Sequence, residues 1–222
     1  GLIAALLRSA PNRDMLDYIS QIIPLEGDDS DDLLVAMSTL GLSAKLLTPA
    51  AIEEEFHDLF IGLGKGEVVP YGSWYLTGFL MEKPLSDLRQ DLAILGYRRN
   101  EDSPEPEDHA AALCEVMSMM ISEGVDIDTQ RNFFNTHMAS WFQRFFNDLA
   151  KAGSAVFYKS VGRFGTAFCA LEEEAAVEGD EFRRLQAQRD EYTQPQRADY
   201  LSNGRRERSR KQVGGVKEPA CH

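Results

Sequence analysis

The side chains best suited to metal binding or nucleophilic chemistry are four histidines, His57, His109, His137 and His222, and three cysteines, Cys114, Cys169 and Cys221. A metal site needs such groups, or carboxylates, converging at fixed spacing. No His-Glu-x-x-His run is present; His57 adjoins Asp58, and His109 follows Glu105 and Asp108. The cysteines are odd in number and share no short spacing, so they spell neither a disulfide framework nor a zinc site. No Gly-x-Ser-x-Gly elbow occurs, and no Cys/His pair has supporting context. Residues 62–72 are rich in glycine, but Lys65 is not followed by Ser or Thr, so the stretch is no Walker loop and reads as an inter-helix connection. An enzyme built here would be a metal-dependent hydrolase using His109, His137 and nearby carboxylates. It lacks a visible third convergent ligand.

The run Glu105-Pro106-Glu107-Asp108-His109 is the more informative cluster. Pro106 suits the first turn of a helix, where its missing N–H has no partner to lose. Glu107 and Asp108 then face the positive end of the helix dipole. Ala110, Leu113, Met117, Met120 and Ile121 recur at helical spacing as an apolar stripe, with Glu115, Ser118 and Ser122 on the polar side. Gly124 ends the run. His109, placed in the first turn, is disfavoured as a cation and can hydrogen-bond either a bound peptide or a neighbouring element. Asp108 has two readings, a partner for arginine or a cap on its own helix. Tyr71, Trp74 and Tyr75 also have two: core anchors, or the lining of a groove, where a ring offers an apolar face and a polar tip.

These residues must be positioned by helices. Residues 2–8 predict a short apolar helix, and Asn12 caps a second that carries Met15, Leu16, Ile19, Ile22 and Ile23 up to Pro24. Gly27 to Asp32 is an acidic loop ahead of a helix through Leu33, Leu34, Met37 and Leu40. Thr48-Pro49 opens another, with Glu53, Glu54 and Glu55 in its first turn and Phe56, Leu59 and Phe60 inward. Residues 62–75 read as the least regular part of the body. Pro84 to Leu95 predicts a helix closed by Gly96. Asp126 to Thr129 caps one aromatic-rich helix running from Phe133 to Phe146. After the turn at Ala152-Gly153, Phe157, Val161, Phe164, Phe168 and Leu171 form the last stripe. No strand and no repeat is visible. The expected fold is all-α, a single-domain helical bundle over residues 1–178, followed by a polar helix and flexible basic tail over 179–222.

A chain of 222 residues with 43% hydrophobic and 27% charged residues is long enough for one core without staples. The net charge of −13 excludes a typical nucleic-acid binder and suits a basic partner such as an arginine-rich peptide. Residues 196–222 hold seven basic and three acidic residues, a local +4, which leaves −17 for residues 1–195. Cys114 and Cys169 sit in apolar helical patterns, as thiols do in a reducing compartment. No apolar run has the length to span a membrane, and the opening Gly1–Leu7 meets Arg8 too soon for a signal peptide. The cytoplasm is the default. Arg205-Arg206 is followed by further charge rather than an apolar run, so it belongs to a solvated tail and is no export signal.

The string Glu105-Pro106-Glu107-Asp108-His109 resembles the E-P-x-D-H signature of the TorD/DmsD family of redox-enzyme maturation chaperones. Phe56–Gly62 resembles the family's Leu-Phe-x-Gly, Pro70–Leu76 its Pro-Tyr-x-Ser-x-Tyr-Leu segment, His137–Trp141 its His-x-x-x-Trp helix, and Ala155–Tyr158 its Phe-Tyr helix start. The matches fall in the family's order over roughly residues 1–178. The resemblance implies a cytoplasmic chaperone, not an enzyme. Its client would be the apo catalytic subunit of a molybdenum-containing oxidoreductase carrying a twin-arginine signal peptide. It implies a peptide site drawn from Tyr71, Ser73, Trp74, Tyr75, Leu76, Glu105, Pro106, Asp108, His109, His137 and Trp141. It implies no permanently bound cofactor and no metal, with weak guanine-nucleotide binding or transient contact with the molybdenum cofactor as family traits. It implies no nucleic acid, no membrane insertion, and a monomer or a dimer that exchanges helices. A structural helical adaptor, with Trp74 wholly buried, is the rival outside enzymology.

Overall fold

Helices and short turns account for the described residues between Gly1 and Glu173. The computed structural model describes residues 1–22, 32–62, 65–99 and 105–173. The expected boundary at 178, the polar helix and the basic tail lie outside the described residues, as does most of the acidic loop before Asp32. Among the described residues there is no strand, and the fold is all-α. The elements are α1 (Leu2–Arg8), α2 (Arg13–Ser20), α3 (Asp32–Leu46), α4 (Pro49–Phe56), a π-helical turn (His57–Ile61), α5 (Gly72–Thr77), α6 (Lys83–Leu95), α7 (Ala110–Ser122), α8 (Ile127–His137) and α9 (Ala139–Lys151). Residues 157–173 are helical and are called α10.

Local signals set several boundaries. Asn12 accepts from Met15 N at 2.9 Å, Thr48 from Ala51 N at 3.3 Å and Asp126 from Thr129 N at 2.9 Å, each satisfying an amide that the helix leaves unpaired. Gly96 and Gly124 close α6 and α7 with φ of 85° and 69°. Helix α2 stops at Ser20, short of Ile22.

Four expectations are corrected. The segment 72–77 is helix rather than loop. The signature run lies outside α7, whose N-cap is His109, so Pro106 occupies no helical turn. The aromatic helix is two helices, broken at Met138 with φ −124° and ψ −50°. On α7 the inward stripe includes Val116, while Ile121 points to solvent.

The core is aromatic on one side. Trp141, Phe142, Phe145, Phe146 and Leu149 of α9 are buried against Phe157, Tyr158 and Val161 of α10. Helix α7 packs on α1, where the Arg8 guanidinium grips Glu115 with two bonds of 3.0 and 2.7 Å. Tyr158 Oη donates to Leu6 O at 2.9 Å, tying α10 to α1. Glu55, read from sequence as a first-turn acid, is buried instead. Its carboxylate accepts from the backbone N–H groups of Val156, Phe157 and Tyr158 at 2.8, 2.9 and 2.6 Å. It is therefore the anion at the start of α10, supplied from α4.

Candidate functional site

Two stretches far apart in sequence meet at one joint. Gly72 N donates to Asp108 O at 2.9 Å, and Ala110 N donates to Pro70 O at 2.8 Å, which pairs Tyr71 with His109 as an isolated antiparallel bridge. Gly72 and Ala110 are the first residues of α5 and α7, whose opening amides have no partner inside their own helices. Each is satisfied by the other stretch.

The side chains extend the exchange. Asp108 Oδ2 accepts from Ser73 N at 2.8 Å and from Ser73 Oγ at 2.5 Å, so Asp108 caps α5 and leaves α7 to its neighbour. His109 caps α7, its Nδ1 accepting from Ala111 N at 3.0 Å. Tyr71 Oη donates to Glu105. The edge of the Tyr71 ring meets the His109 ring at a centroid distance of 5.1 Å. Both Asp108 and His109 are buried, at 3% and 7% exposure. Burial holds His109 near a pKa of about 4, against the opposing pull of Glu105, so the ring is neutral, as an accepting Nδ1 requires. Burial, then the bond to Glu105, pushes the Tyr71 phenol above its usual range, and it stays a donor. Outside the joint, Glu107 binds Arg89 of α6 at 2.8 and 3.0 Å.

One atom in this arrangement lacks a partner. Asp108 Oδ1 is buried and accepts no hydrogen bond. A buried carboxylate oxygen left so is costly, and such atoms call for an explanation.

Beneath the joint lies Trp141. Gly72 is pressed onto its indole: a Cβ at residue 72 would stand 3.2 Å from Trp141 Nε1, tight enough that the indole would have to shift by a few tenths of an ångström. The indole N–H donates to His137 O at 2.8 Å. Tyr75 stacks on the same indole, centroids 5.5 Å apart at 24°, and donates through Oη to Asp148 at 3.0 Å. Burial first, then Asp148, raises the Tyr75 phenol above its usual range. Arg144 donates to Tyr75 O at 3.1 Å and lies over the Tyr75 ring. Trp74 is half-buried, with Lys65 Nζ 4.1 Å above its ring, and Leu76 is exposed.

The expected site residues therefore fall into three sets. Tyr71, Ser73, Glu105, Pro106, Asp108 and His109 converge on the joint. Trp74, Tyr75 and Leu76 ride on α5, which the joint anchors. Trp141 is wholly buried and supports α5 from beneath, so it offers no face to a ligand. The His137 ring, its side chain 8% exposed, bonds Asp91 of α6 at 2.8 Å. His109 and His137 are thus engaged in separate structural bonds. No group of three or more His, Cys, Asp or Glu among the described residues can hold a metal. Sequence reasoning passed over Asp91, Arg144 and Asp148, whose roles depend on contacts between distant elements. It also passed over Phe79, Leu80 and Met81, which stand exposed just after α5. That run of apolar letters before Glu82 was the available signal.

Among the described residues no single helix is long and apolar enough to cross a membrane. The thiols of Cys114 and Cys169 are unpaired, and burial pushes both up to about 12, so they are unreactive.

Comparison with known proteins gives a consistent set of relatives. The family described as "Nitrate reductase delta subunit" matches residues 27–147. A protein named chaperone protein TorD from Vibrio atlanticus (strain LGP32) is 27% identical over 133 residues, 54% of this chain and 62% of that protein. The protein of the same name from Vibrio vulnificus (strain YJ016) is 27% identical over 135 residues, 55% of this chain and 63% of that one. That from Aliivibrio fischeri is 28% identical over 133 residues, 54% and 62%. This chain thus spans less than two thirds of the length of these curated relatives. A solved structure of a putative redox enzyme maturation protein from Archaeoglobus fulgidus superposes with a TM-score of 0.45 at 20% identity, covering 70% of this chain and 92% of that one.

Proposed function

Because the chain belongs to the nitrate reductase delta subunit family, and with it to the TorD/DmsD group, we propose that it is a chaperone and not an enzyme. In this reading it works in the cytoplasm. It binds the twin-arginine signal peptide and apo form of a molybdenum-containing oxidoreductase, assists cofactor insertion and delays export until folding is complete.

The observation that carries the reading is the joint between Pro70–Ser73 and Asp108–Ala110. It fixes a short helix that presents a half-buried Trp74 and an exposed Leu76 beside a buried carboxylate with one unpartnered oxygen. A signal peptide brings arginines and an apolar run. Aromatic and aliphatic side chains on a rigid helix suit the apolar run, and an acidic chain of net charge −13 steers the cations. Trp74 is half-buried rather than wholly buried, which favours this reading over a purely structural adaptor. The hydrolase reading is not favoured, since His109 and His137 are occupied in separate bonds.

The molybdenum cofactor belongs to the client here, and the chaperone meets it only in passing. Within the glycine-rich stretch Gly66 packs against Leu59 O and Gly72 against Trp141, and weak guanine-nucleotide binding is proposed on the family resemblance alone. The partner apart, the chain acts as a monomer or as a dimer that exchanges helices.

Titration calorimetry with a synthetic twin-arginine signal peptide tests the reading. The folded protein binds it, and Trp74→Ala weakens binding by about 1 kcal/mol or more, the usual threshold for a contact that matters. A protein that is folded by circular dichroism yet binds no such peptide overturns it.

A further inference from the structure

The ring of Trp74 already carries a cation. Lys65 Nζ lies 4.1 Å from its centroid. The neighbouring pair, Arg144 and Tyr75, is of another kind. Arg144 is held by Tyr75 O at 3.1 Å and Ser140 O at 3.3 Å, and Tyr75 itself stacks on Trp141. Arg144 is built in. Lys65 is exposed, lies just after the π-helical turn, and forms no salt bridge among the described residues.

We propose that the face of Trp74 is a binding site for a guanidinium group, occupied in the free protein by the chain's own Lys65, which an arginine of the client peptide displaces. This rests on the peptide-binding reading above and refines it: the Trp74 ring takes an arginine of the peptide, and the apolar run is left to the aliphatic and aromatic side chains that follow Trp74. Three features carry it. First, the ring faces a cation, with Lys65 Nζ 4.1 Å from its centroid. Second, the ring is pre-positioned: Ser73, the residue before it, is clamped twice by Asp108, and Gly72 is seated on Trp141. Third, the exchange runs downhill. A guanidinium is planar and more weakly hydrated than an ammonium, so it stacks on an indole with less loss of hydration. The freed Lys65 returns to full hydration on a flexible stem.

Lys65 then acts as a placeholder that sets selectivity. It shields the ring from apolar partners and yields to arginine more readily than to lysine. Apolar residues of the peptide fall to Leu76, Phe79, Leu80 and Met81, all exposed and following Trp74 closely in sequence.

The test uses the full chain and two peptides, one with two arginines ahead of a leucine-rich run and one with both arginines replaced by neutral citrulline. The Lys65 side-chain methylene protons lie in the ring current of Trp74. The arginine peptide shifts them to the values of an exposed lysine, and the citrulline peptide leaves them in place. Lys65→Met binds the arginine peptide about threefold more tightly, the scale of one exposed cation–π contact. Lys45→Met, which removes the same charge from exposed α3, sets the purely electrostatic baseline and shows less. In a Trp74→Leu background the Lys65→Met gain falls to that baseline. If the arginine peptide binds while the Lys65 signals stay put, or if Lys65→Met gains no more than Lys45→Met, the inference is overturned and the chaperone reading stands. If no form binds the arginine peptide, the peptide-binding reading fails and takes the inference with it.

Discussion

Asp108 Oδ2 stands 2.8 Å from Ser73 N and 2.5 Å from Ser73 Oγ, in a chain where these residues lie 35 positions apart. The most distinctive acid of the signature run thus serves as the N-terminal cap of another helix. Charge-assisted bonds of this kind, taken out of water, are among the stronger ones a protein makes. Removing one partner leaves the other unsatisfied.

Asp108→Ala therefore costs stability, on the order of 2–3 kcal/mol in urea unfolding, because Ser73 loses its acceptor in a buried place. Ser73→Ala costs about 1 kcal/mol, since the backbone N–H keeps its bond. A peptide-binding loss in Asp108→Ala can then be assigned to direct contact only at temperatures where the variant is folded. Equal stability of Asp108→Ala and wild type would mean that the clamp is not made in solution.

Glu55 gives a sharper expectation. Its carboxylate receives three backbone N–H groups at the start of α10. Glu55→Ala removes the anion and leaves three donors without their acceptor, two of them buried, for a loss of about 3 kcal/mol. Glu55→Gln keeps the shape and one acceptor oxygen and loses roughly half as much. Urea denaturation followed by circular dichroism separates the two. A smaller loss for alanine than for glutamine would show that α10 finds another cap.

The contrast between these two acids and the simple caps explains what the sequence made legible. Asn12, Thr48 and Asp126 bind amides three residues ahead, so their roles follow from spacing. Glu55 and Asp108 act across 101 to 103 and 35 residues, and nothing in their immediate neighbours indicates the partner. The same holds for the start of α7. Pro106, Glu107 and Asp108 are the right letters for a first turn, but they form a tight turn closed by His109 N donating to Pro106 O at 3.2 Å, and the bridge between Tyr71 and His109 keeps His109 extended and delays the helix to Ala110. The break at Met138 was hidden because Phe134, Trp141 and Phe145 keep a helical repeat across it. Periodicity records which residues are buried, not where the chain breaks between them. The all-α architecture was legible, since every stripe had helical period. The site was legible as a set of residues, not as a division of labour: Trp141 belongs to the floor.

Gly162 tests how closely α9 and α10 are packed. A Cβ there would come 2.6 Å from Ala150 N and 2.7 Å from Phe146 O, both backbone atoms that cannot rotate away. Gly162→Ala must separate the two helices and disturb the aromatic core between them. Overpacking of this sort costs about 1–3 kcal/mol. The expected thermal midpoint is lower by several degrees, since roughly 1 kcal/mol moves a domain of this size by about 2–4 °C. An unchanged midpoint would mean that the helices lie farther apart in solution.

His109 links the joint to pH. Burial lowers its pKa from 6.5 to about 4, with Glu105 opposing and Arg8 assisting. The folded value lies below the unfolded one, so the unfolded chain takes up the proton first. The stabilisation is complete above pH 6.5 and is lost progressively as pH falls from there towards 4. Integrated over that window the loss is on the order of 3 kcal/mol. The chemistry agrees with the sign: a protonated Nδ1 can no longer accept from Ala111 N, and a cation at the start of α7 opposes the helix dipole. His109→Asn keeps a side chain that caps a helix well and does not titrate. The variant should show a flatter dependence of unfolding free energy between pH 6.5 and 5 than wild type, with carboxylates contributing equally to both. Parallel curves for the two proteins would remove His109 as the cause and place the acid sensitivity among the carboxylates.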